Sequence, residues 1–187
     1  MPTTPIFTIG YGAREIEELI AVLKRYQIAY LIDVRSKPYS RYKPDFSKQA
    51  LEERLKVAGV RYLFMGDLLG GQPDDPDCYV DGKVDYEKVN EKGFYRQGIG
   101  RLAEAWKQQR RVALMCSEGK PEQCHRSKLI AATLVAAQIE VAHIDENDAL
   151  ISQEDVLLRL RGGQPSLFGT ALDHFTSRKR YERELDD

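Results

Sequence analysis

Two cysteines, with a histidine and an arginine directly after the second, form the densest group of reactive side chains in this chain of 187 residues. Cys116 and Cys124 can supply thiolates as nucleophiles or metal ligands, and His125 can move a proton at neutral pH. The planar fork of Arg126 suits a carboxylate or a phosphate. Glu118 and Lys120, between the cysteines, add an acid/base group and a further cation. Taken singly, each has an ordinary explanation. A free cysteine at the end of a buried strand is often a small core hydrophobe, and a histidine can simply cap a loop carbonyl. Zinc is a natural suspicion for Cys116, Cys124 and His125. However, seven residues separate the cysteines, which matches no common zinc spacing, and adjacent Cys and His rarely both point at one ion. The site is therefore assigned no metal, and no cofactor is expected. A Cys116–Cys124 disulfide stays open if the Cβ atoms come within about 4.5 Å.

Hydrophobic patterning gives the elements that must position these groups. Apolar runs at 6–9, 30–34, 60–65, 112–116 and 140–144 read as strands. Helical spacing marks Arg14 to Tyr26, a segment to Ala58 with Ser47 as N-cap and Gly59 as stop, a short helix from Tyr86, Phe94 to Gln109, about Cys124 to Ala137, and Glu154 to Arg161. Trp106 and Tyr30 read as core. Gly66 to Gly82, rich in Gly, Pro and Asp, reads as a long surface loop in which Cys78 is incidental. Alternating strands and helices imply an α/β fold with an open, mostly parallel, Rossmann-like sheet and helices on both faces. Residues 1–150 are expected to form a single α/β domain, and 151–187 a helical or extended appendage.

In such sheets ligands gather beyond the carboxyl ends of the strands. Strand one ends at Gly10-Tyr11-Gly12. Strand two is followed by Asp33, Arg35, Lys37, Ser40 and Arg41, strand three by Gly70 and Gly71, and the fourth strand by the Cys116–Arg126 segment. Cys124 is expected at a helix N-terminus, where free amides and the dipole favour a thiolate or a bound anion. Arg126 is ill suited to the first turn of a helix unless it faces an anion or a buried acid such as Asp33. The convergence on one edge favours a shared site. Its expected catalytic members are Cys116, Glu118, Cys124 and His125. Its expected anion-binding members are Tyr11, Asp33, Arg35, Ser40, Arg41, Lys120, Arg126, Gly70 and Gly71.

Composition limits the partners. The net charge is -1 with 30% charged residues, so no global field advertises nucleic acid or membrane, and a local patch would have to serve. Three cysteines, an odd number, favour a reducing compartment. No signal peptide is apparent, and no apolar run approaches the roughly 20 residues of a membrane span. A cytoplasmic location without membrane partners is expected, while the oligomeric state is not legible.

The same residues carry a family resemblance. Thr8-Ile9-Gly10, Asp33-Val34-Arg35 with Pro38 and Ser40-Arg41, Pro44-x-Phe46, Leu69-Gly70-Gly71, and Cys116-Ser-Glu118 through Pro121 to Cys124-His125-Arg126 resemble the domain-of-unknown-function 488 family (DUF488), over about residues 5 to 145. The resemblance implies little about activity. The family usually carries Gly-His-Ser after strand one, where this chain has Gly10-Tyr11-Gly12, so any role of that histidine falls to Tyr11 or His125. A weaker likeness, through Leu31–Arg35 and Val112–Cys116, is to rhodanese-like sulfurtransferases and Cys-loop phosphatases. A phosphatase loop would place an arginine at the position of Glu122, where a carboxylate would repel phosphate.

Gln164-Pro165-Ser166-Leu167-Phe168 resembles the peptide by which bacterial proteins dock on the sliding clamp of DNA replication, with Pro165 in place of the usual Leu. Gln164, Leu167 and Phe168 would make that contact and bring the chain near DNA. Three readings follow. The first is an enzyme that binds or acts on a phosphate-bearing substrate, a nucleotide or nucleic acid included, at the Cys/His/Arg site. The second is a non-catalytic nucleic-acid-associated module recruited by the clamp-like peptide. The third is a thiol-dependent sulfurtransferase or redox enzyme.

Overall fold

The computed structural model describes residues 4–163 and 175–181. Six strands form one sheet in the order β3-β2-β6-β1-β7-β8. These are β1 (Ile6–Gly10), β2 (Tyr30–Asp33), β3 (Arg61–Phe64), β6 (Val112–Cys116), β7 (Val141–Ile144) and β8 (Leu150–Ser152). All neighbours pair parallel except β7 and β8. The five strands anticipated from apolar runs are those of the parallel part. Every residue of β1 and β6 is buried, as expected for strands covered on both faces.

The period-2 alternation of a strand divides the core. Phe7, Ile9, Leu31, Ala113 and Met115 pack against Leu19 and Leu23 of α1 (Ile16–Arg25) and Leu51 and Leu55 of α2 (Lys48–Val57). Ile6, Ile32, Leu114 and Cys116 face the other way. They meet α4 (Tyr86–Glu91), α5 (Gly93–Lys107), and the π-helical turns Arg126–Ala131 that run into α6 (Ala132–Ala136). The chain winds outward from β1 to β3 with helices on one face, then back through β6 to β7 with helices on the other, because a right-handed crossover changes face when it changes direction. The loop after β6 thus leaves toward one face, and those after its neighbours β1 and β2 toward the other. A crevice opens at the end of β6, where Cys116 sits.

Several expectations change. Residues 66–82 are not a structureless loop: they hold α3 (Gly66–Leu69), a 3-10 turn at Pro76–Cys78, and β4 (Tyr79–Val80), which forms a hairpin with β5 (Lys83–Val84) just beyond. Cys78 is fully buried in the core and not incidental, held inward by that turn. Ser47 occupies the N-cap of α2 without a side-chain cap bond; its Oγ instead accepts from Ser40 N at 3.2 Å. The helix expected from Cys124 starts at Arg126 and opens with π turns, because Cys124 is extended. β8, too short to show in the pattern, spans the boundary expected at residue 150 and joins the main sheet, while α7 (Gln153–Leu160) starts at a Ser152 capping box. Residues 175–181 return to the body. Ser177 N donates to Val84 O and Tyr181 N to Gly82 O. No helix among the described residues is long and apolar enough to cross a membrane. Gln164, Leu167 and Phe168 lie outside the described residues.

Candidate functional site

Cys116 ends β6, and the chain then turns through Ser117–Lys120 to the 3-10 turn Pro121–Gln123 and Cys124. Arg126 is fully buried and fixes this loop from beneath. Its Nη1 donates to Glu118 O and its Nη2 to Gly119 O at 3.0 Å. Of the two partners anticipated for Arg126, a bound anion or a buried acid such as Asp33, Asp33 is not the one it meets, because the loop's own carbonyls take the guanidinium. Asp33 is claimed by Arg35, whose Nε and Nη2 donate to its carboxylate at 2.9 and 2.6 Å. Tyr62 OH donates to the same carboxylate at 2.8 Å. Arg35 also reaches Phe46 O, which ties the loop after β2 to the start of α2.

His125 is the centre of the cluster. Its Nε2 lies 3.1 Å from Val34 O. A carbonyl can only accept, so Nε2 carries a proton and Nδ1 is left to the sulfurs. Nδ1 stands 3.8 Å from Cys116 Sγ and 3.7 Å from Cys124 Sγ, and all three residues are buried. The Cys116 thiol is held well below the usual range, first by its hydrogen bond with Cys124 and then, against the opposing effect of burial, by His125 and Arg126. Burial and the hydrogen bond with Cys116 push Cys124 the other way. Two glycines permit the packing. A Cβ on Gly10 would overlap Glu118 O, and one on Gly71 would stand 2.8 Å from His125 Nδ1.

The cluster floors a cavity of about 270 Å³. Of the expected site residues, Tyr11, Arg35, Gly71, Cys116, Glu118, Cys124 and His125 line it. Tyr11 stacks on Phe46 at 4.2 Å between ring centroids, with the Arg35 guanidinium carbon 5.4 Å from the Tyr11 ring centroid. Asp33, Ser40, Arg41, Lys120, Arg126 and Gly70 do not line it. Asp33 lies beneath Arg35, Ser40 shapes its own loop by accepting from Lys43 N, and Gly70 is packed against Gly66 and Ser36. Arg41 and Lys120 are exposed.

Lys37, on the loop after β2 as anticipated, lines the cavity beside Arg35. Sequence reasoning missed the wall formed by Ser177, Arg178 and Lys179 of the far C-terminal segment. Arg178 Nη2 reaches Glu118 Oε1 at 3.1 Å, and Lys179 Nζ the same oxygen at 4.0 Å. The only available signal was the basic run Arg178-Lys179-Arg180, which reads as a solvated tail until Ser177 is seen docked on β5.

The family model described as domain of unknown function DUF488 matches residues 15–133. The chain belongs to the DUF488 family. A search of curated proteins finds no match. The matched span holds the whole sulfur–imidazole cluster and the Asp33–Arg35 pair, whereas the Arg178–Lys179 wall lies beyond it. Two chemistries suit the DUF488 cluster: an imidazole poised to take a proton from a thiol, and three donor atoms converging within 4.8 Å of one another.

Proposed function

We propose that this chain is an enzyme that binds a phosphate-type anionic substrate in the cavity and acts on it at the Cys116–Cys124–His125 cluster. One observation carries the reading. A buried cluster of two sulfurs and an imidazole floors the same cavity whose walls present Arg35, Lys37, Arg178 and Lys179. Cationic walls recruit an anion, and groups that act on it must lie within reach of where it binds. Arg35 has a donor to spare, since Nη1 is buried without a partner among the described residues. A nucleotide or nucleic-acid phosphate is the substrate class that suits these forks and ammonium groups.

The test is alkylation of the reduced, chelator-treated full chain by iodoacetamide, read by mass spectrometry at Cys116 and Cys124. Increasing phosphate, and then short oligonucleotides, is expected to protect both thiols saturably. Lys37→Ala is expected to weaken that protection. Anions that leave the rate unchanged at every concentration would sink the reading.

A second reading, thiol-dependent sulfur-transfer or redox chemistry, is favoured by the position of His125 Nδ1 between two sulfurs. Under it Cys116 reacts readily and phosphate affords no protection.

A further inference from the structure

His125 is tied through Nε2 to a backbone carbonyl, and Nδ1 faces two sulfurs. A histidine that ligates a metal through one nitrogen commonly donates its other N–H in this way, which fixes both tautomer and ring orientation. The spacing agrees. In a tetrahedral zinc site with Zn–S of about 2.3 Å and Zn–N of about 2.0–2.1 Å, sulfur and nitrogen lie about 3.6 Å apart. Here Nδ1 is 3.8 and 3.7 Å from the two sulfurs. Ordinary sulfur hydrogen bonds alone would need only one of these contacts, whereas a chelate needs both at once.

The backbone explains how adjacent residues reach one point. Cys124 is extended, at φ -114 and ψ 148, and His125 is helical, at φ -62 and ψ -23. In a continuous strand their side chains would point to opposite sides. The break into the helix between them turns both toward Cys116. Arg126 N, the next amide, then donates to Cys124 Sγ at 3.5 Å, an outer hydrogen bond of the kind that supports a metal-bound thiolate. Two thiolates balance a dication, and soft sulfur ligands select zinc over magnesium or calcium.

We propose that Cys116, Cys124 and His125 form a three-ligand site for a zinc-type divalent cation, with its fourth position open to the cavity. Three protein ligands with one position left open is the form of a catalytic rather than a structural zinc. The cation's role rests on the reading of the cavity as an anion site: a phosphate oxygen drawn in by Arg35, Lys37 and Arg178 would arrive beside a Lewis acid. The binding site itself does not depend on that reading.

Cobalt(II) and zinc(II), each added to reduced, metal-free full chain, test the site. Cobalt is expected to bind stoichiometrically and to give thiolate-to-cobalt charge transfer with the intense visible bands of tetrahedral coordination, both bleached by zinc. Cys116→Ser, Cys124→Ser and His125→Ala should each cost more than the roughly 10–100-fold in affinity that loss of an outer-shell partner costs. Thermal melts of the metal-free variants separate ligand loss from unfolding. Should a variant not fold, X-ray absorption on the zinc-loaded wild type decides: it must show two sulfurs at about 2.3 Å and a nitrogen at about 2.0 Å. Failure of the reduced chain to bind cobalt, or binding unchanged in Cys116→Ser, overturns the site. Protection of the metal-free thiols by phosphate would still stand on its own, so the two proposals fail separately.

Discussion

His143 on β7 is buried, and both ring nitrogens are satisfied in one neutral form. Gln153 Nε2 donates to Ser127 O at 3.1 Å, so its Oε1 is left to accept from His143 Nε2 at 2.7 Å. His143 Nδ1 then accepts from Thr8 Oγ1 at 2.8 Å. Burial, with the charge of Arg126 in support, lowers the His143 pKa from 6.5 to about 4. The unfolded chain takes up a proton near pH 6.5, and the folded chain does not until about pH 4. Between those values the unfolded state binds more protons, so stability falls as pH falls. The gap of about 2.5 pH units, at about 1.4 kcal/mol each, gives a full loss of about 3.5 kcal/mol, of which about 3 kcal/mol falls between pH 7 and 4, where the folded histidine is itself half protonated. The measurement is urea unfolding of the wild type and of His143→Gln at a series of pH values from about 7 to 4. Glutamine can offer one acceptor and one donor in the same place but does not titrate. The wild type should lose about 3 kcal/mol more than the variant over that range. Curves that run parallel would show that His143 is not held neutral and would refute the reasoning. The consequence reaches the site, because the His143–Gln153–Ser127 chain fastens β7 to the turns that follow His125.

Asp33→Asn should destabilise the fold by about 3–5 kcal/mol, since it leaves the buried Arg35 without its countercharge; urea unfolding checks this, and a loss below about 1 kcal/mol would argue against a structural pair. Gly71→Ala places a methyl group against His125 Nδ1 and should weaken cobalt binding by at least about tenfold, as loss of ligand orientation does. An unchanged cobalt titration with an unchanged melt would show that the imidazole is free to move aside.

The strands β1, β2, β6 and β7 were legible because they are short apolar runs that are almost wholly buried, and the longer covering helices because they bury one apolar face at helical spacing. β8 was not: its three residues include one side chain about half exposed, Leu150, and its place depends on pairing with β7 across a turn. The Gly- and Pro-rich stretch after β3 misled for a related reason. Its ordering comes from packing Cys78 and Val84 into the core rather than from any periodicity of its own. Composition identifies turns; it does not say that the turns are packed.

At the site, residue types were legible and their pairing was not. Arg35, Arg41 and Arg126 were all expected to hold an anion, yet Arg126 spends its fork on Glu118 and Gly119 carbonyls, Arg35 commits most of its own to Asp33, and Arg41 is exposed outside the cavity lining. Sequence spacing cannot distinguish an arginine that binds a ligand from one that holds the loop around it. The adjacent Cys124 and His125 make the converse case. Their adjacency argued against a shared ion, because adjacent Cys and His rarely both point at one, as side chains of neighbours in regular extended structure diverge. That argument assumes regular structure through the pair. The change from extended to helical backbone falls between the two residues, and at such a junction adjacency places two donors on one point while Val34 O fixes which imidazole nitrogen is offered to it.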